Sequence, residues 1–262
     1  VSFVFVNDGS IDDTGSVLKK LEDINPEQIA IINLPENSGK AEAVRQGVLY
    51  AIRKNFDCIG FWDADLSTPL SHIKIFIDLL CESPHREIVM GARVQLLGRS
   101  IYRKAVRHYI GRIFATAVSM ILRLPVYDTQ CGSKIFRNSP VLKELFEAPF
   151  LTKWIFDVEI LARYFSASNC NLKQIMTEKI IEYPLQSWSD IPGSKIKLRD
   201  FAGSGLELAR IWFYYRKNLR QMKEKSARKK FAGLNVTETD DLIETFTSAR
   251  FTDLPDSARE IR

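Results

Sequence analysis

The chain of 262 residues has no run of 18 apolar residues, so no segment of it reads as a membrane-spanning helix. Its four cysteines, Cys58, Cys81, Cys131 and Cys170, are scattered, and no two form a Cys-x-x-Cys pair. This fits reduced, largely buried thiols in a cytosolic setting better than a disulfide frame or a zinc site. The three histidines, His72, His85 and His108, are too far apart to suggest a metal-ligand pair. No internal repeat occurs, and Gly39-Lys40 lacks the spacing of a phosphate-binding P-loop. Acidic residues are missing altogether from Ile88 to Tyr127, a stretch that holds seven Lys/Arg. A starting methionine is also missing. The chain opens directly on what reads as an interior strand, so an N-terminal piece is expected to be missing and an upstream signal or anchor is compatible.

What is present suffices for one good core with an appendage, at 45% hydrophobic residues. The net charge of +5 is unevenly spread. Gly205 to Lys230 holds nine basic residues against two acidic, whereas Phe231 to Arg262 holds three against seven. Basic segments interleaved with aromatic residues suit an anionic membrane surface or a phosphate ligand as well as nucleic acid.

Strands and helices alternate over the first 95 residues, which predicts a parallel, doubly wound sheet. Val1–Val6, Ile29–Leu34, Cys58–Trp62 and Glu87–Ala92 read as strands. Helices are expected from the Asp12-Asp13 cap to Leu21, over Ala41–Arg53 and over Leu70–Leu80. Gly9 permits a tight turn after the first strand. Further on, Arg99–Leu124 reads as one helix stopped by Pro125, with Arg99, Arg103 and Arg107 on a shared side. A short strand Ser133–Phe136, helices Val141–Phe146 and Lys153–Phe165, and a strand Leu172–Tyr183 follow, then a loop Ser187–Lys195. Ile196 to about Lys225 reads as a long aromatic and basic helix. Three segments are expected: a main α/β domain over 1–195, this helix within 196–230, and an acidic, loose tail over 231–262.

Asp63-Ala64-Asp65 follows the apolar run Cys58–Trp62 at the carboxyl end of a strand, where open α/β sheets bind ligands. In an extended Asp-Ala-Asp both carboxylates point the same way. Such a pair of hard oxygen ligands suits Mg²⁺ or Mn²⁺ carrying a phosphate.

Several separated motifs occur together: Asn7-Asp8-Gly9-Ser10-x-Asp12-x-Thr14, Asn37-x-Gly39-Lys40-Ala41, Asp63-Ala64-Asp65, Gly91-Ala92-Arg93, Arg99-Ser100-x-x-Arg103, Asp128-Thr129-Gln130-Cys131-Gly132-x-Lys134, Trp154-x-Phe156-Asp157 and Trp188-x-x-Ile191-x-Gly193-Ser194-Lys195. Each alone reads as an ordinary turn, helix face or core segment. In this order they resemble glycosyltransferase family 2, with the GT-A fold, and within it the dolichyl-phosphate glucosyltransferase branch. Ser133 departs from that branch, which carries an aromatic residue there.

The resemblance implies an α/β GT-A domain with a mostly parallel sheet and a C-terminal amphipathic helix. It further implies inverting transfer of glucose from UDP-glucose to a polyprenyl phosphate. Asp8, Gly39, Lys40 and Asp63 are then expected to bind the donor, Asp63 and Asp65 to hold Mg²⁺ or Mn²⁺, and Arg93, Arg103 and Arg107 to dock the acceptor phosphate. Asp65, Asp128 and Arg103 are the expected catalytic residues. A nucleotide sugar, a polyprenyl phosphate and a membrane surface are the expected partners, without nucleic acid, at the cytoplasmic membrane face. Another hexose or acceptor, and a module that binds a nucleotide sugar or lipid without catalysis, are the alternatives. A processive polysaccharide synthase is disfavoured, because no Gln-x-x-Arg-Trp motif occurs.

Overall fold

The computed structural model describes residues 1–102, 105–122, 124–168, 170–190 and 203–217. In chain order the elements are β1 (Phe3–Asp8), α1 (Thr14–Ile24), β2 (Ile29–Leu34), α2 (Lys40–Arg53), β3 (Cys58–Trp62), α3 (His72–Cys81), β4 (Ile88–Ala92), β5 (Ser100–Tyr102) and α4 (Ala105–Leu122). Then come β6 (Ser133–Arg137), α5 (Pro140–Glu147), α6 (Phe156–Ala167), the single turn α7 (Leu172–Gln174), a π-helical turn Ile175–Lys179, β7 (Ile180–Pro184) and β8 (Ser187–Ser189). A terminal helix covers 203–217.

Local chemistry starts each early element where the sequence asks for it. Gly9 takes a left-handed φ of +63° at the end of β1. The Asp12 carboxylate accepts from the Thr14 backbone N–H at 3.0 Å and so opens α1. Strands β1 and β2 pair in parallel from Phe3 opposite Ile29 to Asp8 opposite Leu34. Helix α2 packs across both β1 and β3, burying Ala41 and Val48.

The central sheet has the order β3-β6-β4-β7. Strand β7 runs parallel to β4, but β6 lies antiparallel between β3 and β4. The sheet is mostly parallel, as expected, with β6 as the one strand that runs against β3, β4 and β7. The path of the chain gives the reason: α4 ends at Leu122, and residues 124–132 stay at the edge where β3 and β4 leave the sheet. Entering from that edge, β6 can only run backwards.

Helix α6 is the centre of the core. Every residue from Phe156 to Phe165 is buried, so it has no solvent face. Phe156 lies 5.9 Å from Phe61 and 5.5 Å from Phe150, centroid to centroid, and Phe136 stands 5.7 Å from Phe146. Truncating such a ring to alanine costs about 3–5 kcal/mol. The terminal helix docks on the same core through Leu208, Ile211 and Tyr215, one side of a 3.6-residue period.

Three expectations change. Arg99 does not share a helix with Arg107: it sits in a turn before β5, because Ser100–Tyr102 pairs with Ser187–Ser189 and this distant partner overrides helical spacing. The first half of the expected strand Leu172–Tyr183 is helical, started by a capping box between Asn171 and Gln174, and only Ile180–Pro184 is strand. The segment Ser187–Lys195, read as a loop, begins with β8. The ends of the long helix expected from Ile196 to Lys225, at 196–202 and 218–225, and the tail over 231–262 lie outside the described residues.

Candidate active site

The carboxyl ends of β1, β3 and β4 and the entry into β6 bring most of the singled-out residues to one edge. Asp8, the last residue of β1, accepts from the backbone N–H groups of Ser38 (2.7 Å) and Gly39 (2.9 Å). It thereby ties the loop ahead of α2 to the strand end and fixes where Lys40 begins its helix. The Lys40 ammonium reaches across to the Asp63 carboxylate at 2.5 Å. Burial works against that cation, but the charges of Asp63 and Asp157 outweigh burial and hold its pKa above the ordinary lysine value.

Asp63 is also locked from below. Its N–H donates to the Gly132 carbonyl at 2.9 Å, and a Cβ added at Gly132 would fall inside the Asp63 carboxylate. Only glycine lets the two chains approach this closely.

The extended Asp-Ala-Asp of the sequence reading is corrected. The strand stops at Trp62, and Asp63–Leu66 forms a turn closed by the Leu66 N–H on the Asp63 carbonyl (3.1 Å), with Leu66 at φ +56°. Period-two alternation therefore does not orient the pair. Exposed Asp65 accepts from the Ser67 N–H at 2.9 Å and makes no ion pair among the described residues. Trp62 shapes the rest of the loop, its indole N–H donating to the Thr68 carbonyl at 2.8 Å.

Arg93 and Asp128 form the second half of the site. The Arg93 side chain donates to both Asp128 oxygens at 2.6 and 2.8 Å, and its backbone N–H adds a third bond at 3.0 Å. The guanidinium also lies 5.3 Å from the Trp188 ring, and both partners are nearly buried. Burial opposes the Arg93 charge, yet Asp128 raises its pKa on balance. Removing either partner of such a pair leaves an uncompensated charge, at a cost of about 3–5 kcal/mol. Arg93 is thus already committed to a carboxylate, unlike the free phosphate clamp suggested by its place in an acid-free segment. Arg103 lies outside the described residues. Arg107 is on α4, and its side chain lies outside them too.

Two groups went unremarked in the sequence. Glu182 accepts from the N–H groups of Tyr127 (2.9 Å) and Asp128 (2.5 Å), holding the turn into β6 from behind. Burial is the main cause that pushes its carboxyl above the ordinary range, against those two hydrogen bonds. A lone acid in the apolar strand Ile180-Ile181-Glu182-Tyr183 was the available signal. On the terminal helix, Glu207 accepts from Lys153, Trp154 and Ile155 N–H at 3.1–3.3 Å. Nothing local marks that residue.

No three His, Cys, Asp or Glu side chains among the described residues gather as a metal cage. Asp65, exposed and without an ion pair among the described residues, joins Asp63 in supplying the two hard oxygen donors that a Mg²⁺-type ion uses when phosphates complete its shell. The donor set fits such an ion, with Lys40 as the competing cation on Asp63.

A sequence model of glycosyl transferase family 2 matches residues 1–146. The chain is 32% identical over 210 residues to a dolichyl-phosphate beta-glucosyltransferase of Saccharomyces cerevisiae, covering 74% of this chain and 59% of that protein. The like-named protein of Drosophila melanogaster is 32% identical over 223 residues, with 81% and 63% covered. One from Trichomonas vaginalis is 29% identical over 227 residues, with 85% and 63% covered. The chain thus spans about three fifths of the length of these relatives. Among solved structures, a glucosyl-3-phosphoglycerate synthase from Mycobacterium tuberculosis, in complex with Mn²⁺, UDP and phosphoglyceric acid, superposes with a TM-score of 0.51 at 15% identity, over 82% of this chain and 67% of that one. This likeness establishes the GT-A fold.

Proposed function

Since the chain belongs to glycosyl transferase family 2, we propose that it transfers glucose from UDP-glucose to a dolichyl-type polyprenyl phosphate, with inversion. The observation that carries this reading is the edge where Lys40–Asp63, Asp65 and Arg93–Asp128 meet. It supplies a cation and two metal-type carboxylates for a diphosphate, beside a fixed turn for the attacking group.

In a single displacement, an oxygen of the lipid phosphate forms a bond to the anomeric carbon while the bond from that carbon to UDP breaks on the opposite face. A phosphate monoester has a second pKa of about 6, so near neutral pH the nucleophile is already an anion and needs no strong base. Asp128, with both oxygens bonded to Arg93, suits orientation better than proton abstraction. Asp8 holds the loop that presents Gly39 and Lys40 to the donor, and Lys40 balances phosphate charge. Arg103 and Arg107 remain the proposed docking cations for the acceptor phosphate. A Mg²⁺ or Mn²⁺ ion on Asp63 and Asp65 would neutralise charge growing on UDP as it leaves.

The reaction is set at a membrane surface, with the protein peripheral on the cytoplasmic face. Among the described residues no helix is long and apolar enough to cross a membrane. Exposed Leu206, Phe213 and Tyr214, beside the exposed cations Arg210, Arg216 and Lys217, support contact with an anionic lipid surface. We assign catalysis to the segment 1–195, lipid contact to 196–230 and no catalytic part to 231–262.

The test is transfer of labelled hexose from UDP-glucose, UDP-galactose or GDP-mannose to dolichyl phosphate in detergent, with and without Mn²⁺. Glucolipid from UDP-glucose alone, with kcat about a hundredfold lower in Asp65→Asn, is the expected result. Preference for GDP-mannose, or full turnover by that variant, overturns the reading.

A further inference from the structure

Lys134 is the most buried cation of the described core, with 1% of its surface exposed, in the middle of the central sheet. It stands opposite Phe61 on β3 and Met90 on β4, with its ammonium 5.3 Å from the Phe61 ring centroid. The three N–H donors of the ammonium meet three acceptors: the Thr129 carbonyl at 3.0 Å, the Cys131 carbonyl at 2.6 Å and the carboxylate of Asp157 in the first turn of α6. Asp157 is buried as well.

A buried ion pair is a poor way to gain stability, because apolar residues of the same volume often serve as well or better. What an apolar pair could not supply is the grip on two backbone carbonyls. Those carbonyls bracket the turn that carries Asp128 at one end and, at the other, Gly132, against which the Asp63 carboxylate rests. Glu182 holds the same turn through its N–H groups, so the turn is pinned by an anion on its donors and a cation on its acceptors.

We propose that Lys134, held by Asp157, is a positioning residue: it sets the 128–132 turn so that Asp128 and the seat of Asp63 keep a fixed separation. The pair does not touch the reacting atoms. It acts by tying α6 and the middle strand to the turn.

Cys131 reports on this directly, since its thiol is fully buried within the turn whereas Cys81 is exposed. The test compares Lys134→Met, Asp157→Asn and the double variant Lys134→Met with Asp157→Leu, in which neither charge remains. Urea midpoints should fall in Lys134→Met and recover in the double variant, because the stranded charge is gone. Iodoacetamide alkylation of Cys131, measured relative to Cys81, should nevertheless rise about tenfold in the double variant, since the carbonyl grip is still missing. In Asp157→Asn, where Lys134 keeps both carbonyls, Cys131 should stay protected. If that double variant does not fold, Lys134→Gln with Asp157→Asn, which likewise leaves neither charge, carries the same comparison.

Wild-type protection of Cys131 in the double variant, or equal exposure in Asp157→Asn, reduces the pair to core filling and overturns the proposal. A second readout rests on the glucosyl-transfer reading: kcat should drop about a hundredfold in the double variant while the donor KM stays nearly constant. If the wild-type protein transfers no sugar, that reading fails, and the alkylation comparison still decides the role of Lys134.

Discussion

Gly132 leaves no room for a side chain, because the carboxylate of Asp63 already occupies that space. Gly132→Ala should therefore move Asp63 off Lys40 or open the turn, at a cost of about 1–3 kcal/mol in urea unfolding, with a larger loss of transfer than of fold. Asp8 answers to the same logic of occupied space and bonded oxygens. Asp8→Ala frees the N–H groups of Ser38 and Gly39 and should raise the donor KM more than it lowers kcat, as steady-state kinetics would register. Both residues were visible in the sequence as parts of motifs. Which residues they pair with was not, since a contact between segments thirty or more residues apart leaves no mark on composition or spacing.

Helix α3 is pinned to the turn between β7 and β8 by one imidazole. His72 Nδ1 donates to the Pro69 carbonyl and Nε2 accepts from the Gln186 N–H, each at 3.2 Å, so the ring is neutral in the fold. Burial depresses its pKa below 6.5. The unfolded chain takes up its proton first as pH falls, so the stability from this contact is present above 6.5 and is lost as pH drops through the lower, folded value. The difference in urea stability between wild type and His72→Gln should accordingly shrink between about pH 7.5 and pH 5.5. The terminal helix works in a comparable way through Glu207. Glu207→Ala should speed hydrogen exchange at Lys153, Trp154 and Ile155 and lower stability by about 1–2 kcal/mol.

For the molecule as a whole, the terminal helix faces two ways. Leu208, Ile211 and Tyr215 are inside the core, and Leu206, Phe213 and Tyr214 are in solvent. Aromatic and basic composition over that stretch announced an amphipathic helix without deciding which residues would meet protein and which a lipid surface. Phe213→Ser with Tyr214→Ser should reduce sedimentation with anionic vesicles about tenfold while leaving Tm unchanged. Salt should weaken what binding remains. Ile211→Ser, on the buried side, should instead unfold the helix from the core. Vesicle binding that is indifferent to salt and to both aromatic substitutions would remove the membrane surface from the proposal.

The alternation of apolar strands with periodic helices was sufficient to place β1 to β4 and the helices between them, because each is decided by residues within one element. The motifs likewise led to the family. The reversed strand β6 could not be read that way, since direction depends on the edge from which the chain returns. Nor could β5 and β8, three residues each, which exist only as partners of one another. The same holds for the charges. Arg93, Asp128, Lys134 and Asp157 stand in motifs and Glu182 does not, and only the folded sheet, by removing water and bringing them together, decides which cation answers which acid.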